Sequence, residues 1–268
     1  SADIRYEQYI IRMLFWSLLQ IDLASADASI QKAAKFLLAG DSLTPYLNMA
    51  MCMPPSSTYN SLKAVIEASP ALQNYVEDPG LPNCPTRAQF AAQCMFLLRV
   101  AGVAGLSMSA WLMTKGNKPY ESGKNLLSYD LPEGIPNDFD VAPYANDRDK
   151  LRLIVLEVLR LRPPVHETTF LLTQPFTLSS FANGNSKTFP AGCPVMLDYV
   201  GAQTDPQLWG ANAKKFRPFE NAELLWGSKA KLNTFNSVGD QGDRICPGRE
   251  LALELLINML QAYHSKTW

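Results

Sequence analysis

The sequence predicts a mainly α fold carrying a small β element, on three observations. Apolar residues recur at intervals of three and four over 6–23, 86–113 and 146–162, which is the helical period. Between 168 and 200 the pattern changes to short β-branched and aromatic runs split by "ANGN", an Asn/Gly turn signal. No internal repeat and no low-complexity run interrupts these segments. Hydrophobic residues make up 47% of 268 residues, enough to bury a sizeable core and too many for general disorder.

Taken in order, 6–23 reads as the first helix, and Ser25-Ala26-Asp27 supplies a cap for a second over 28–39. Residues 43–55 are rich in Pro and Met and read as a loop with a short helical piece. Thr58–Glu67 and Ala71–Val76 follow as short helices. "EDPGLPNCPT" (77–86) breaks the chain, and Thr86 can cap the long apolar helix that runs to about Met113. Polar sequence with Gly and Pro fills 115–144. The next helix, 146–162, must stop at Pro163-Pro164, which cannot continue it. Residues 201–241 read as irregular, and an unstructured stretch far longer than the usual ~12–15 residues points to function. A last helix begins just after Cys246 and runs to about Tyr263.

Composition excludes several classes. Lys+Arg 24 against Asp+Glu 25 gives no electrostatic case for nucleic acid or an anionic surface. The five cysteines are scattered, with no C-x-x-C, and there are only two histidines, His166 and His264. A disulfide framework and most zinc sites are therefore poor readings. The apolar run 88–113 is broken by Gln93 and Arg99, short of the ~18 uncharged residues of a spanning helix. Neither a secretory signal nor a membrane span is visible, so the expectation is a soluble or peripheral protein.

One cysteine stands in a tight frame, "GDRICPGRELALELL": Gly242, Arg244, Cys246, Gly248, then a helical pattern. A helix N-terminus and a neighbouring cation both favour thiolate over thiol. Glycines permit turns that a Cβ obstructs, and Pro247 suits a first helical turn. The frame describes a rigidly held thiolate suited to a soft metal. The plainer alternative is a buried structural cysteine at a helix start.

"GDRICPG" resembles the proximal haem loop of cytochrome P450, G-x-R-x-C-x-G followed by a helix. "LEVLRLRPPV" resembles the E-x-x-R helix of the same family, with Glu157 and Arg160 one turn apart on one face. "DYVGAQTDPQLWG" (198–210) and "KKFRPFE" (214–220) are similar to the segment after its strands and to its meander. The resemblance implies a cytochrome P450-like fold, incomplete here, and one haem-thiolate domain over 1–268. Its parts would be N-terminal helices (1–85), a long distal helix (86–114), the E-x-x-R helix (146–162), short strands (168–200), meander and cysteine loop (201–245) and a proximal helix (247–263). It implies haem b as cofactor and Cys246 as axial iron ligand, with Arg244 on a propionate and Gly242 and Gly248 shaping the loop. Glu157 and Arg160 would brace the backbone behind the haem, and His166 could reach a propionate. A thiolate pushes electron density onto iron, as haem O–O chemistry needs.

The monooxygenases of this family carry an acid–alcohol pair in the distal helix. In "AGVAG" the corresponding positions hold Ala104 and Gly105, neither able to donate a proton. That lack, with the extended loop before the cysteine, resembles the branch of allene oxide synthases, hydroperoxide lyases and epoxyalcohol synthases. The branch implies cleavage of a fatty-acid hydroperoxide O–O bond and rearrangement of the resulting radical, without external dioxygen or reductase. Ala101, Ala104 and Gly105 would line the pocket, although the branch often has Asn where Ala101 stands. One alternative is a monooxygenase acting on a hydrophobic organic substrate, which needs a redox partner. Another is a non-catalytic relic or fragment. Further departures are Glu220, where the family's third cluster residue is an arginine that Arg217 could replace, and ends that look trimmed on both sides. Trp111 and Trp226 are expected to be packing residues, and Arg249 a solvated charge or an electron-donor contact.

Overall fold

The computed structural model describes residues 6–35, 57–78, 80, 84–96, 98, 106, 109, 110, 113, 135, 136, 138–165, 167–179, 186–226 and 248–265. Contacts divide the chain into two compact units, Ser1–Ser128 and Tyr129–Trp268. Each is described by itself.

The first unit is helical. α1 (Tyr6–Leu19) buries Ile10, Leu14, Phe15 and Leu19. It ends four residues before the expected Leu23. Gln20 takes φ 58° and its N–H returns to the Trp16 carbonyl at 3.0 Å. This is a left-handed helix cap made without the usual glycine, so nothing in the sequence announces it. α2 (Ala28–Lys35) is capped as expected by Asp27, whose carboxylate accepts the Ser29 and Ile30 N–H groups at 2.8 and 2.9 Å. The Ser29 hydroxyl, which donates to the same oxygen at 2.6 Å, and then the Ile30 N–H hold the Asp27 carboxyl below its ordinary range.

α3 (Ser57–Glu67) packs between α2 and the helix Arg87–Phe96, burying Leu62 and Ile66. α4 (Pro70–Gln73) ends short of the expected Val76; its cap is the Ser69 hydroxyl, and it packs on α1. α5 (Arg87–Phe96) opens on a reciprocal cap: Gln89 N–H to Thr86 Oγ1 at 3.2 Å, and Thr86 N–H to Gln89 Oε1 at 2.8 Å. Beyond it Leu98, Leu106, Ala110 and Met113 are all buried, as the apolar run predicts.

The second unit is built around α6 (Arg148–Leu161), capped by Asp147 through the Lys150 N–H at 3.1 Å. It matches the expected 146–162 to within two residues, and Pro163 lies just past its end. α6 packs against α10 (Arg249–Ser265): Leu151, Ile154, Val155, Leu253, Leu256, Ile257 and Leu260 are buried. An aromatic cluster ties the turn Ala142–Tyr144 to the later chain, with Phe139–Phe216 centroids 4.9 Å apart and Tyr144–Phe219 5.0 Å apart.

The β element is a nested pair of antiparallel ladders. β1 (Glu167–Leu171) pairs with β4 (Pro194–Asp198), Thr169 opposite Met196. Inside it β2 (Phe176–Leu178) pairs with β3 (Lys187–Phe189), Thr177 opposite Thr188.

The stretch after 200, expected to be irregular, contains further helices. α7 (Tyr199–Gln203) is capped by Asp198, which accepts the Gly201 N–H at 2.8 Å. A Cβ at 201 would collide with Asp198 Oδ2, so a larger residue there would push the capping carboxylate aside. α8 (Pro206–Trp209) has Asp205 as cap, proline at its first position and Gly210 at φ 78° as terminator. α9 (Ala222–Leu225) follows. These pieces are too short for periodicity to register; side-chain caps mark α7 and α8, while α9 has none. Among the described residues no helix is long and apolar enough to cross a membrane.

Candidate functional site

The E-x-x-R pair is the centre of the second unit. Glu157 and Arg160, one turn apart on α6, are both fully buried. Burying two charges is tolerated only when their remaining hydrogen-bond sites are also filled. Here they are. Arg160 forks onto the carboxylate, Nε to Oε2 at 2.7 Å and Nη2 to Oε1 at 2.8 Å. Nη1 donates to the carbonyls of Gln203 and Ala213, both at 2.6 Å, and Nη2 to that of Lys215 at 3.2 Å. All five guanidinium N–H groups are thereby used. The ring of Trp209 lies 4.7 Å from Arg160 Cζ.

Glu157 accepts two more bonds at Oε1: the Arg217 backbone N–H at 2.8 Å and the Asn221 side-chain amide at 3.0 Å. Sequence reasoning aimed one residue short. Glu220 is exposed and pairs with the Arg217 guanidinium at 3.6 Å. Arg217 therefore does not replace the expected arginine with its side chain; it contributes backbone alone, and Asn221 is the side chain that reaches the cluster. Glu157 and Arg160 thus clamp five separate points of 203–221 onto α6. The carbonyls are backbone atoms without a residue signature, so the sequence could not reveal them.

α10 starts at Arg249, and Gly248 accepts its first bond, Ala252 N–H to Gly248 O at 2.8 Å. The helix expected over 247–263 thus starts two residues later, and in sequence Cys246 stands two residues before its capping Gly248. On the surface joining α6 to α10, Arg148 pairs with Glu254 and donates to Asn258 at 2.9 Å, while Arg152 donates to Glu254 at 3.4 Å. Trp226, expected to be a packing residue, is 39% exposed and has two guanidiniums against its ring. Arg249 is one of them, and it also pairs with Glu250 at 2.9 Å. The site positions Ala101, Ala104, Gly105, His166, Gly242, Arg244 and Cys246 lie outside the described residues, as does Trp111. Of the other thiols, Cys94 is buried and its pKa is pushed up by that burial, which makes it inert.

No protein-family model matches the chain. Among solved structures, cytochrome P450 CYP108D1 of Novosphingobium aromaticivorans superposes with a TM-score of 0.62 at 18% identity, over 97% of this chain and 54% of that one. The fold is that of the cytochrome P450 superfamily. Curated cytochrome P450 sequences agree. Cytochrome P450 71A19 of Arabidopsis thaliana is 30% identical over 155 residues, 58% of this chain and 30% of that protein. Echinocystic acid 23-monooxygenase of Saponaria officinalis is 37% identical over 119 residues, 44% of this chain and 21% of that protein. The chain thus spans about 30% or less of the length of these curated P450 relatives.

The cofactor that a cytochrome P450 fold implies is haem b. The residues fit that group. In sequence, Cys246 stands two residues from an arginine and two before the cap of a 17-residue helix, and a cysteine sulfur is the soft kind of donor that haem iron accepts. The backing cluster of Glu157 and Arg160 is fully assembled.

Proposed function

We propose that the chain is the haem-binding part of a cytochrome P450 monooxygenase that oxidises a hydrophobic small molecule with electrons from a redox partner. The observation that carries this reading is the buried Glu157–Arg160 clamp on α6, in a chain whose last described helix starts directly after Gly-x-Arg-x-Cys-x-Gly. The relatives support the monooxygenase class over hydroperoxide chemistry, for which neither curated relative above is named.

Haem, when bound, supplies an iron centre that activates oxygen. The chain's own residues do the rest. Cys246 holds the iron through its sulfur, and the positive end of α10 and the Arg244 guanidinium keep that sulfur a thiolate. Gly242 and Gly248 let the backbone turn so that amides face the sulfur, which tunes its donor strength. Arg244 and His166 bind the propionates. Glu157 and Arg160 fix 203–221 onto α6 as the support the site would need. Ala101, Ala104 and Gly105 line the substrate side with small apolar surface, which admits a hydrophobic substrate and excludes water.

A specific observation favours a second reading. With Ala104 and Gly105 in the acid–alcohol positions, no side chain there relays protons. A fatty-acid hydroperoxide already carries its oxygen pair and needs no such relay, so rearrangement of such a hydroperoxide remains the competing activity. The reduced chain with carbon monoxide should show the red-shifted Soret band of thiolate ligation, and Cys246→Ala should abolish it. No band in the parent chain refutes haem binding and supports the relic. Substrate oxidation that strictly requires NADPH and a reductase supports the monooxygenase. Rapid consumption of a fatty-acid hydroperoxide without either reverses the choice.

A further inference from the structure

Trp226 follows the last turn of α9 and is the last described residue before 227–247, the stretch that carries Cys246. Arg249 is the second described residue after it. The Arg249 Cζ lies 5.4 Å from the Trp226 ring centroid, so the two ends of that stretch meet in a ring–cation contact. Arg152, reaching from α6, puts its Cζ 5.0 Å from the same centroid and donates to Glu254 of α10 at 3.4 Å. One indole therefore touches both the E-x-x-R helix and the first residue of the helix after the cysteine. Glu250 and Glu254 offset the two like charges drawn to it.

We propose that Trp226 is a positioning residue for the cysteine loop, a clasp that pins the loop's two ends together and to α6. Its relevance to iron ligation rests on the reading of Cys246 given above. Pinning the ends of 227–247 removes chain entropy that would otherwise be lost whenever the thiol is brought to one place. The aromatic face is what matters, because the attraction arises from the ring quadrupole and not from apolar area.

The test uses the full chain with Trp226→Ala, Trp226→Leu and Trp226→Phe. Without added haem, alkylation by N-ethylmaleimide is followed separately at Cys246 and at buried Cys94 by peptide mapping. With haem, the reduced carbon monoxide spectrum gives the fraction in the red-shifted, thiolate-ligated form. Ala and Leu should speed alkylation of Cys246 about ten-fold, the change that ~1.4 kcal/mol makes to an opening equilibrium, and lower the red-shifted fraction. Phe, which keeps a ring face, should stay within about three-fold of the parent, and Cys94 should be unchanged. The clasp is overturned if Leu serves as well as Trp, or if Cys94 accelerates in step with Cys246. A parent chain without the red-shifted band would refute the ligand role of Cys246, while the alkylation comparison would still decide the clasp.

Discussion

Replacing Arg160 by alanine should loosen α6 more than any other single change in the second unit. The substitution leaves the fully buried Glu157 carboxylate with one backbone N–H and one neutral amide in place of a guanidinium fork. Stranding one partner of a buried ion pair costs about 3–5 kcal/mol. The Gln203 and Ala213 carbonyls also lose their 2.6 Å donor, so the lower figure is a floor. Against a typical domain stability of about 5–15 kcal/mol this is a large share. An increment of ~3–5 kcal/mol raises the opened population by between roughly 10²-fold and a few thousand-fold. Amide hydrogen exchange over Leu151–Leu161 reads that change locally, which matters in a chain of two units where one global midpoint is ill defined. Arg160→Lys, which keeps the charge and loses the fork, should fall between the parent and alanine. Removing both charges with Glu157→Leu/Arg160→Met should cost less than Arg160→Ala alone, because no buried charge is stranded. Amides of Leu62–Ile66, in the other unit, serve as the internal reference. An acceleration below about three-fold in Arg160→Ala would show that the clamp does not hold the helix.

Other perturbations probe the same unit. Asn221→Asp places a second carboxylate beside Glu157 Oε1, where the amide now stands at 3.0 Å. Two like charges so close force one to stay protonated, so a folded-state pKa rises and the variant loses stability as pH climbs through it. Protection of the Leu151–Leu161 amides, compared with the parent at pH 5 and at pH 7, should therefore show a smaller deficit at the lower pH, and an equal deficit would contradict the placement. Asn221→Ala, which removes only a hydrogen bond to a charged group, should cost about 1.5–3 kcal/mol at both. Burial holds His264 below its ordinary 6.5, against the opposing pull of Asp140. The unfolded chain then binds a proton first on acidification, so stability is lost as pH falls from about 6.5 through the folded value. His264→Gln should flatten that part of the stability–pH curve; an unchanged slope would refute the assignment.

What the sequence by itself determined is what local chemistry controls. Asp27, Thr86 with Gln89, and Asp147 mark helix starts because a cap is satisfied within three residues. The helical period fixed α6, and with it the shared face of Glu157 and Arg160. The glycine-framed Cys246 announced the helix that begins at Arg249, and with the E-x-x-R helix it pointed to the cytochrome P450 fold. Tertiary structure decided the rest. It ended α1 at a left-handed Gln20, paired β1 with β4 around an inner hairpin, and built α7, α8 and α9 inside a stretch that reads as irregular. It also chose Asn221 over Glu220 for the buried cluster and gathered the carbonyls of Gln203, Ala213 and Lys215 onto one arginine. The physical reason is common to all of these: they are set by contacts between residues far apart in the chain. Several are made by backbone atoms, which look the same in every residue.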